Sequence, residues 1–178
     1  IMMNPHKITA EFEKALCEYT GAPYAVAVDN CSNALFLALY YELHVAKDYA
    51  YEFSKVGHRP VVTIPKHTYM SVPNEIIHAG GRVKFVDNIS KTNAGCENEI
   101  KGAYVMSPTN VMDSALRFTT DMYVSGMHMC LSFTGPYKHL KLGKGGAILT
   151  DDINAYYWFK RARFSGRQEC GYFADDFD

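Results

Sequence analysis

Tyr24-Ala25-Val26-Ala27-Val28-Asp29-Asn30-Cys31-Ser32-Asn33-Ala34-Leu35-Phe36-Leu37-Ala38-Leu39 changes character abruptly in the middle. Tyr24 to Val28 is a short apolar run of strand type, Asp29 to Ser32 is a tight polar turn, and Asn33 to Leu43 is a helix with a strongly apolar face. Before it, Ile8 to Tyr19 reads as an amphipathic helix, with Ile8, Phe12, Ala15, Leu16 and Tyr19 at helical spacing, stopped by Thr20-Gly21-Ala22-Pro23. The order is helix, strand, turn, helix.

The same alternation continues outward. Ala46 to Pro60 is a mixed, aromatic-rich connection. Val61 to Ile64 is a second strand, Tyr69 to Ala79 a helix closed by Gly80-Gly81, and Arg82 to Val86 a third strand. Strands alternating with helices predict an α/β domain with a mainly parallel sheet. Asn88 to Gly102 reads as a loop. The runs Tyr104 to Met106 and Val111-Met112 are separated by four residues, Ser107-Pro108-Thr109-Asn110. A parallel crossover needs a dozen or more, so this stretch is either irregular or an antiparallel pair. Met127 to Phe133 reads as a strand, Gly145 to Thr150 as its antiparallel partner, and Asp151-Asp152 as the start of a helix reaching about Arg163. The tail from Ser165 has little periodicity.

Composition narrows the classes. The chain has 178 residues, 48% of them hydrophobic, which suits one ordinary globular domain. The net charge of -1 gives no basic footprint for nucleic acid. No apolar run approaches the ~20 residues of a membrane helix. The N-terminus lacks the apolar core of a secretory signal, and its first residue, Ile1, is read as the mark of a fragment. Cys17, Cys31, Cys96, Cys130 and Cys170 are odd in number and widely spaced, without a CxxC pair. Free thiols in a reducing cytoplasm fit that scatter, and a structural zinc site does not.

Four strand ends hold residues capable of chemistry, and open α/β sheets collect ligands at the carboxyl ends of their strands. The turn Asn30 to Ser32 opens a helix, whose free N–H groups favour an anion such as phosphate; Ser32 or Asn30 acting as a simple N-cap is the alternative. Tyr69, after Pro65-Lys66-His67-Thr68, offers a ring that could stack on a flat cofactor or simply pack. Asp113 follows an apolar run directly and needs a partner; it either pairs with a cation such as a pyridinium nitrogen or caps a helix. Finally, a strand delivers Ser132 and the following turn delivers Lys138, before Gly143, Gly145 and Gly146 allow a tight return. A desolvated amine there can attack an aldehyde. In the alternative, Lys138, Lys141 and Lys144 form a solvated basic loop.

Taken in order, these segments resemble the DegT/StrS family of sugar aminotransferases. The opening helix ends at Tyr19-Thr20-Gly21. Asn30 to Leu35 is similar to the family's "SNGTxAL" turn, Pro65 to Tyr69 to "P-x-x-T-[FYW]", Gly80 to Asp87 to "G-x-x-V-x-F-V-D", and Asp113-Ser114-Ala115 to "D-[AS]-A". Ser132-Phe133, Lys138 and Gly143 to Gly146 resemble "SF…K…GEGG", and Thr150-Asp151-Asp152 with Arg163 to Gly166 resembles "T-[DN]-D … R-x-x-G". The resemblance implies a single pyridoxal-phosphate-binding large domain over residues 1–178. Its fold would be of the aspartate-aminotransferase type (fold type I), a mainly parallel mixed sheet flanked by helices. Lys138 would form the Schiff base and shuttle the proton, Asp113 would pair with the pyridine nitrogen, Tyr69 would stack on the ring, and Ser32, Asn33 and Ser132 would hold the phosphate. The implied reaction is amino transfer, with glutamate as donor, to a keto sugar carried on a nucleotide. The implied assembly is a homodimer with active sites at the interface, in the cytoplasm.

The departures are specific. Where the family has Gln or His three residues after the aspartate, this chain has Leu116. Ser132 and Lys138 are one residue further apart than usual, and Lys144 stands for the glutamate of "GEGG". A strand and helix expected before the aspartate strand are reduced to Tyr104 to Asn110. The chain ends where family members continue into a "G-x-N-x-R" segment and a small C-terminal domain. These differences leave two further readings open: a degenerate homologue that binds or scaffolds without catalysis, and a sugar dehydratase of the same family, in which His replaces the lysine.

Overall fold

The computed structural model describes residues 6–46, 59–87 and 101–169. Most of the connection expected over Ala46 to Pro60, nearly all of the loop expected over Asn88 to Gly102, and the thiols Cys96 and Cys170 lie outside them. Helix α1 (Lys7–Thr20) ends where Gly21, at φ 76°, takes the left-handed conformation that lets its N–H reach the Cys17 carbonyl. Strand β1 (Tyr24–Val28) follows, then helix α2 (Cys31–Tyr40). Asn30 is the N-cap of α2: its side chain accepts from the Asn33 N–H at 2.8 Å. The helix runs on into one π turn, Tyr41–Val45. Next come β2 (Val61–Pro65), α3 (Ser71–His78), β3 (Arg82–Val86), β4 (Tyr104–Val105), β5 (Val111–Asp113), β6 (His128–Ser132) and β7 (Gly146–Thr150). The last helix, α4 (Ile153–Ala162), is capped by Asp152, which accepts from the N–H groups of Asn154 and Ala155.

Five strands form one sheet in the order β1-β7-β6-β5-β4, while β2 and β3 pair separately. Thr63 of β2 bridges to Ser107, just beyond β4, with a 2.7 Å hydrogen bond. The mixed α/β sheet is the architecture expected from the sequence, but its parallel share is smaller. β5–β6 and β2–β3 are parallel, whereas β1–β7, β6–β7 and β4–β5 are antiparallel. The reason lies in the connections. The turn between β4 and β5 is too short for a crossover, so the chain folds back as a hairpin, the Thr109 N–H donating to the Met106 carbonyl. β7 returns antiparallel alongside β6 after a connection, residues 133–145, that holds no crossover helix.

Both faces of the sheet are covered, and the side chains show it by alternation. Val26, Val111, Cys130 and Ile148 face the layer built from α2, α3 and α4, where Leu35, Leu39, Ile76 and Phe159 are buried. Ala25, Met112, Met129, Leu131, Ala147 and Leu149 face the opposite layer, with Leu16 of α1, Met122 and Phe133. Each such large apolar side chain contributes about 1.5–3 kcal/mol on burial. Between the layers, a few polar groups are enclosed with partners. Glu42 of the π turn lies 3.2 Å from His128 Nε2 and accepts from the Asn110 N–H, tying α2 to the β5 and β6 strands.

Asp113, at the end of β5, is the enclosed acid nearest the strand ends. It is 6% exposed, with Oδ1 accepting from the Ala115 N–H at 2.9 Å and Oδ2 from the Tyr104 hydroxyl at 2.9 Å. Burial raises its carboxyl above the ordinary range, and the Ala115 N–H, the Tyr104 hydroxyl and the Lys138 charge oppose that rise. Between the ordinary carboxylate value and the raised one, the folded chain holds more protons than the unfolded chain, so stability falls as pH rises through that window. An Asp113→Asn chain keeps an acceptor for Ala115 and carries no charge to desolvate. Denaturant melts are expected to show it more stable than the parent at neutral pH, with the difference closing below about pH 4, where the parent carboxyl is protonated in both states. A less stable Asp113→Asn at neutral pH would contradict this.

Candidate active site

Strands β1, β5 and β6 run the same way, so their carboxyl ends meet at one edge of the five-stranded sheet, and β2, from the separate pair, leads into residues at the same place. A cavity of about 1190 Å³ opens there. Its walls include Ser32 at the start of α2, Thr68 and Tyr69 before α3, Tyr104 and Asp113 from the hairpin, and Ser132 with Lys138 after β6. Five of the six residues singled out in the sequence thus line one space: Ser32, Tyr69, Asp113, Ser132 and Lys138.

Asn33 is the exception. Capping spends its N–H on Asn30, and its side-chain amide donates to Asp29 Oδ1 at 2.6 Å. It faces a different cleft, with Asp29 and Arg163. Its expected hold on a phosphate therefore has no support in this geometry; as the third residue of α2 it sits on the helix face turned away from the cavity. Ser32, one residue earlier, points inward and donates to Ser71 Oγ at 2.7 Å, linking the first turns of α2 and α3. The turn at Asn30 and Cys31 is packed so closely against β7 that a Cβ on Gly146 would stand 2.6 Å from the Asn30 carbonyl carbon. Glycine there is required by close approach, not by backbone conformation.

Lys138 extends into the cavity from an otherwise exposed turn, and its Nζ donates to the Ala115 carbonyl at 2.8 Å. His139, beside it, is exposed and outside the cavity walls. Leu116 lies at the wall with 60% of its surface exposed, so the position that carries Gln or His in the family offers no hydrogen bond here. Tyr69 stands at the rim, 73% exposed. Cys31 also lines the space; its thiol donates to the Cys130 carbonyl at 3.8 Å and is pushed up chiefly by burial, then by the Asp113 charge.

Among the polar wall residues, the sequence reading gave no role to Thr68, Ser71 or Tyr104. Burial, then the Asp113 charge, holds the Tyr104 hydroxyl well above its ordinary value, so it is a donor across the accessible pH range. Chemically, the cavity joins two amines, Lys138 and Lys101, with one enclosed carboxyl, a set of hydroxyls and the amino end of a helix. That donor set matches an anionic aromatic aldehyde: the helix end and hydroxyls suit its phosphate, the carboxyl a ring cation, and an amine the aldehyde.

Comparison with known proteins gives the same direction. GDP-perosamine synthase from Caulobacter vibrioides is 33% identical over 86 residues, which is 48% of this chain and 20% of that protein. Among solved structures, the Helicobacter pylori aminotransferase PseC, involved in the biosynthesis of pseudoaminic acid, superposes with a TM-score of 0.65 at 15% identity, over 98% of this chain and 53% of that one. A GDP-4-keto-6-deoxymannose-3-dehydratase with a trapped PLP-glutamate geminal diamine gives 0.56 at 18% identity, over 86% of this chain and 46% of that one. These likenesses show the fold, and the chain spans about half the length of the solved chains it matches. The sequence model of the DegT/DnrJ/EryC1/StrS aminotransferase family matches residues 2–111, more than half of the chain, and the chain belongs to that family.

Proposed function

We propose that the chain is the pyridoxal-phosphate-binding large domain of a sugar aminotransferase, with Lys138 as the residue that holds the coenzyme. The observation that carries this reading is the convergence of Lys138, Asp113, Ser132 and the α2 turn on one cavity, although they are separated in sequence. When bound, the coenzyme supplies an electron sink. The protein's own groups do the rest. Ser32, Ser132 and the first turn of α2 anchor the phosphate, Asp113 keeps a proton on the ring nitrogen, and Tyr69 covers a ring face. Lys138 would hold the coenzyme through its amine and carry a proton at Nζ.

The proposed reaction is amino transfer from glutamate to a keto sugar on a nucleotide. Membership of an aminotransferase family supports amino transfer, as does the likeness to PseC, an aminotransferase of pseudoaminic acid biosynthesis. His139 faces outward while Lys138 faces inward, which favours transfer over the dehydratase reading, where a His takes the lysine's place. Leu116, apolar at the wall, favours the remaining alternative of a homologue that binds without turnover. Reduced Cys17, Cys31 and Cys130 fit a cytoplasmic protein.

Addition of pyridoxal phosphate is expected to give a visible absorption band that borohydride abolishes, leaving the label on the peptide containing Lys138. Lys138→Ala is expected to lose both. A Lys138→Ala chain that still attaches the coenzyme would overturn the assignment, and attachment without amino transfer from glutamate would select the binding-only alternative. We also propose a homodimer, since Tyr69 and the 90% exposed Tyr137 leave aromatic surface around the site. Light scattering of the coenzyme-loaded protein is expected to give twice the chain mass; a monomer would contradict it.

A further inference from the structure

The hairpin pairs Tyr104 with Asp113 directly across the β4–β5 ladder. The Tyr104 hydroxyl donates to Asp113 Oδ2 at 2.9 Å and lies 2.5 Å from Thr68 Oγ1. A carboxylate can only accept. When Asp113 is ionised, Tyr104 must therefore donate to it, and the Tyr104 oxygen is left to accept from Thr68. When Oδ2 carries a proton, the whole chain reverses: Asp113 donates to Tyr104, and Tyr104 donates to Thr68. The three groups have two hydrogen-bond polarities, coupled to one proton. Donors aimed at a charged acceptor form the stronger set.

We infer that Tyr104, backed by Thr68, is a positioning residue that aims the Asp113 carboxylate and holds it ionised against burial. The other titratable groups facing Asp113 are Lys138 across the cavity, Cys31 at the start of α2 and Cys130 on β6. Burial keeps both thiols neutral, so Lys138 is the remaining source of favourable charge. Lys138 is also the amine that the proposed chemistry consumes when the coenzyme is attached, because an amine bonded to the coenzyme carbon is no longer a free ammonium. Tyr104 and Thr68 supply stabilisation that does not depend on that amine. The benefit to a ring nitrogen rests on the function proposed above; the hydrogen-bond chain does not.

The test is a pH titration of the Asp113 carboxyl in coenzyme-free protein by infrared difference spectroscopy, with Asp113→Asn identifying the band. Tyr104→Phe keeps the ring and removes the donor. Its midpoint is expected to rise by about one to two pH units, the effect of losing a hydrogen bond to a charged group. Thr68→Val is expected to raise it by a smaller amount. A folded Tyr104→Phe with an unchanged or lowered midpoint would overturn the inference; if that variant does not fold, an unmoved midpoint in Thr68→Val would do so. Coenzyme attachment is measured on the same proteins. A shifted midpoint in protein that never attaches coenzyme would sustain the hydrogen-bond chain and count against the proposed function, and attachment with no shift would do the reverse.

Discussion

A carboxyl group withdrawn from water at the end of a strand demands partners, and the arrangement around Asp113 is the set of answers this chain gives. The Ala115 N–H takes one oxygen, Tyr104 the other, and the Lys138 amine reaches the neighbouring Ala115 carbonyl. Removing any of these leaves the desolvation of the carboxyl less opposed. The position of β5 between β4 and β6 is what allows all of them to meet. Parallel pairing of β5 with β6 brings Asp113 and Ser132 out at the same edge, and antiparallel pairing with β4 brings Tyr104 beside the acid.

The hairpin therefore does two jobs. It replaces a longer crossover with a tight turn, and it closes one wall of the cavity. Gly102 shows how close that closure is: a Cβ there would stand 2.7 Å from the Leu116 carbonyl oxygen. Gly146 likewise allows β7 to press against the turn before α2. Leu116 and Lys101 also line the cavity.

Much of this was legible in the sequence because it depends on local signals. The apolar run Tyr24 to Val28 and the polar turn after it gave the strand and the start of α2, and Asp152 marked the start of the last helix. The antiparallel return of Gly146 to Thr150 fits the glycines at 143, 145 and 146, which allow a tight entry into the strand. What the sequence concealed depends on pairing or on side-chain direction. Asn33 stands beside Ser32 in the chain, yet one helix position sends it to another cleft. Tyr104 read as part of an apolar run. An antiparallel register centred on the Pro108-Thr109 turn places that hydroxyl opposite Asp113. The predominance of parallel strands was overestimated for the same reason, since strand–helix alternation says little about a four-residue link. Finally, the family match over residues 2–111 stops before Asp113 and Lys138, so the roles proposed for those two rest on geometry.

The central claim is that an amine and an acid, delivered by different strands, grip opposite sides of one ring. A crystal structure of the protein soaked with pyridoxal phosphate tests it most directly. The account expects density continuous with Lys138 Nζ, a ring nitrogen within hydrogen-bonding distance of an Asp113 oxygen, and a phosphate at the first turn of α2. Density for the coenzyme elsewhere, or a ring lying in this cavity with its nitrogen turned away from Asp113, would contradict it.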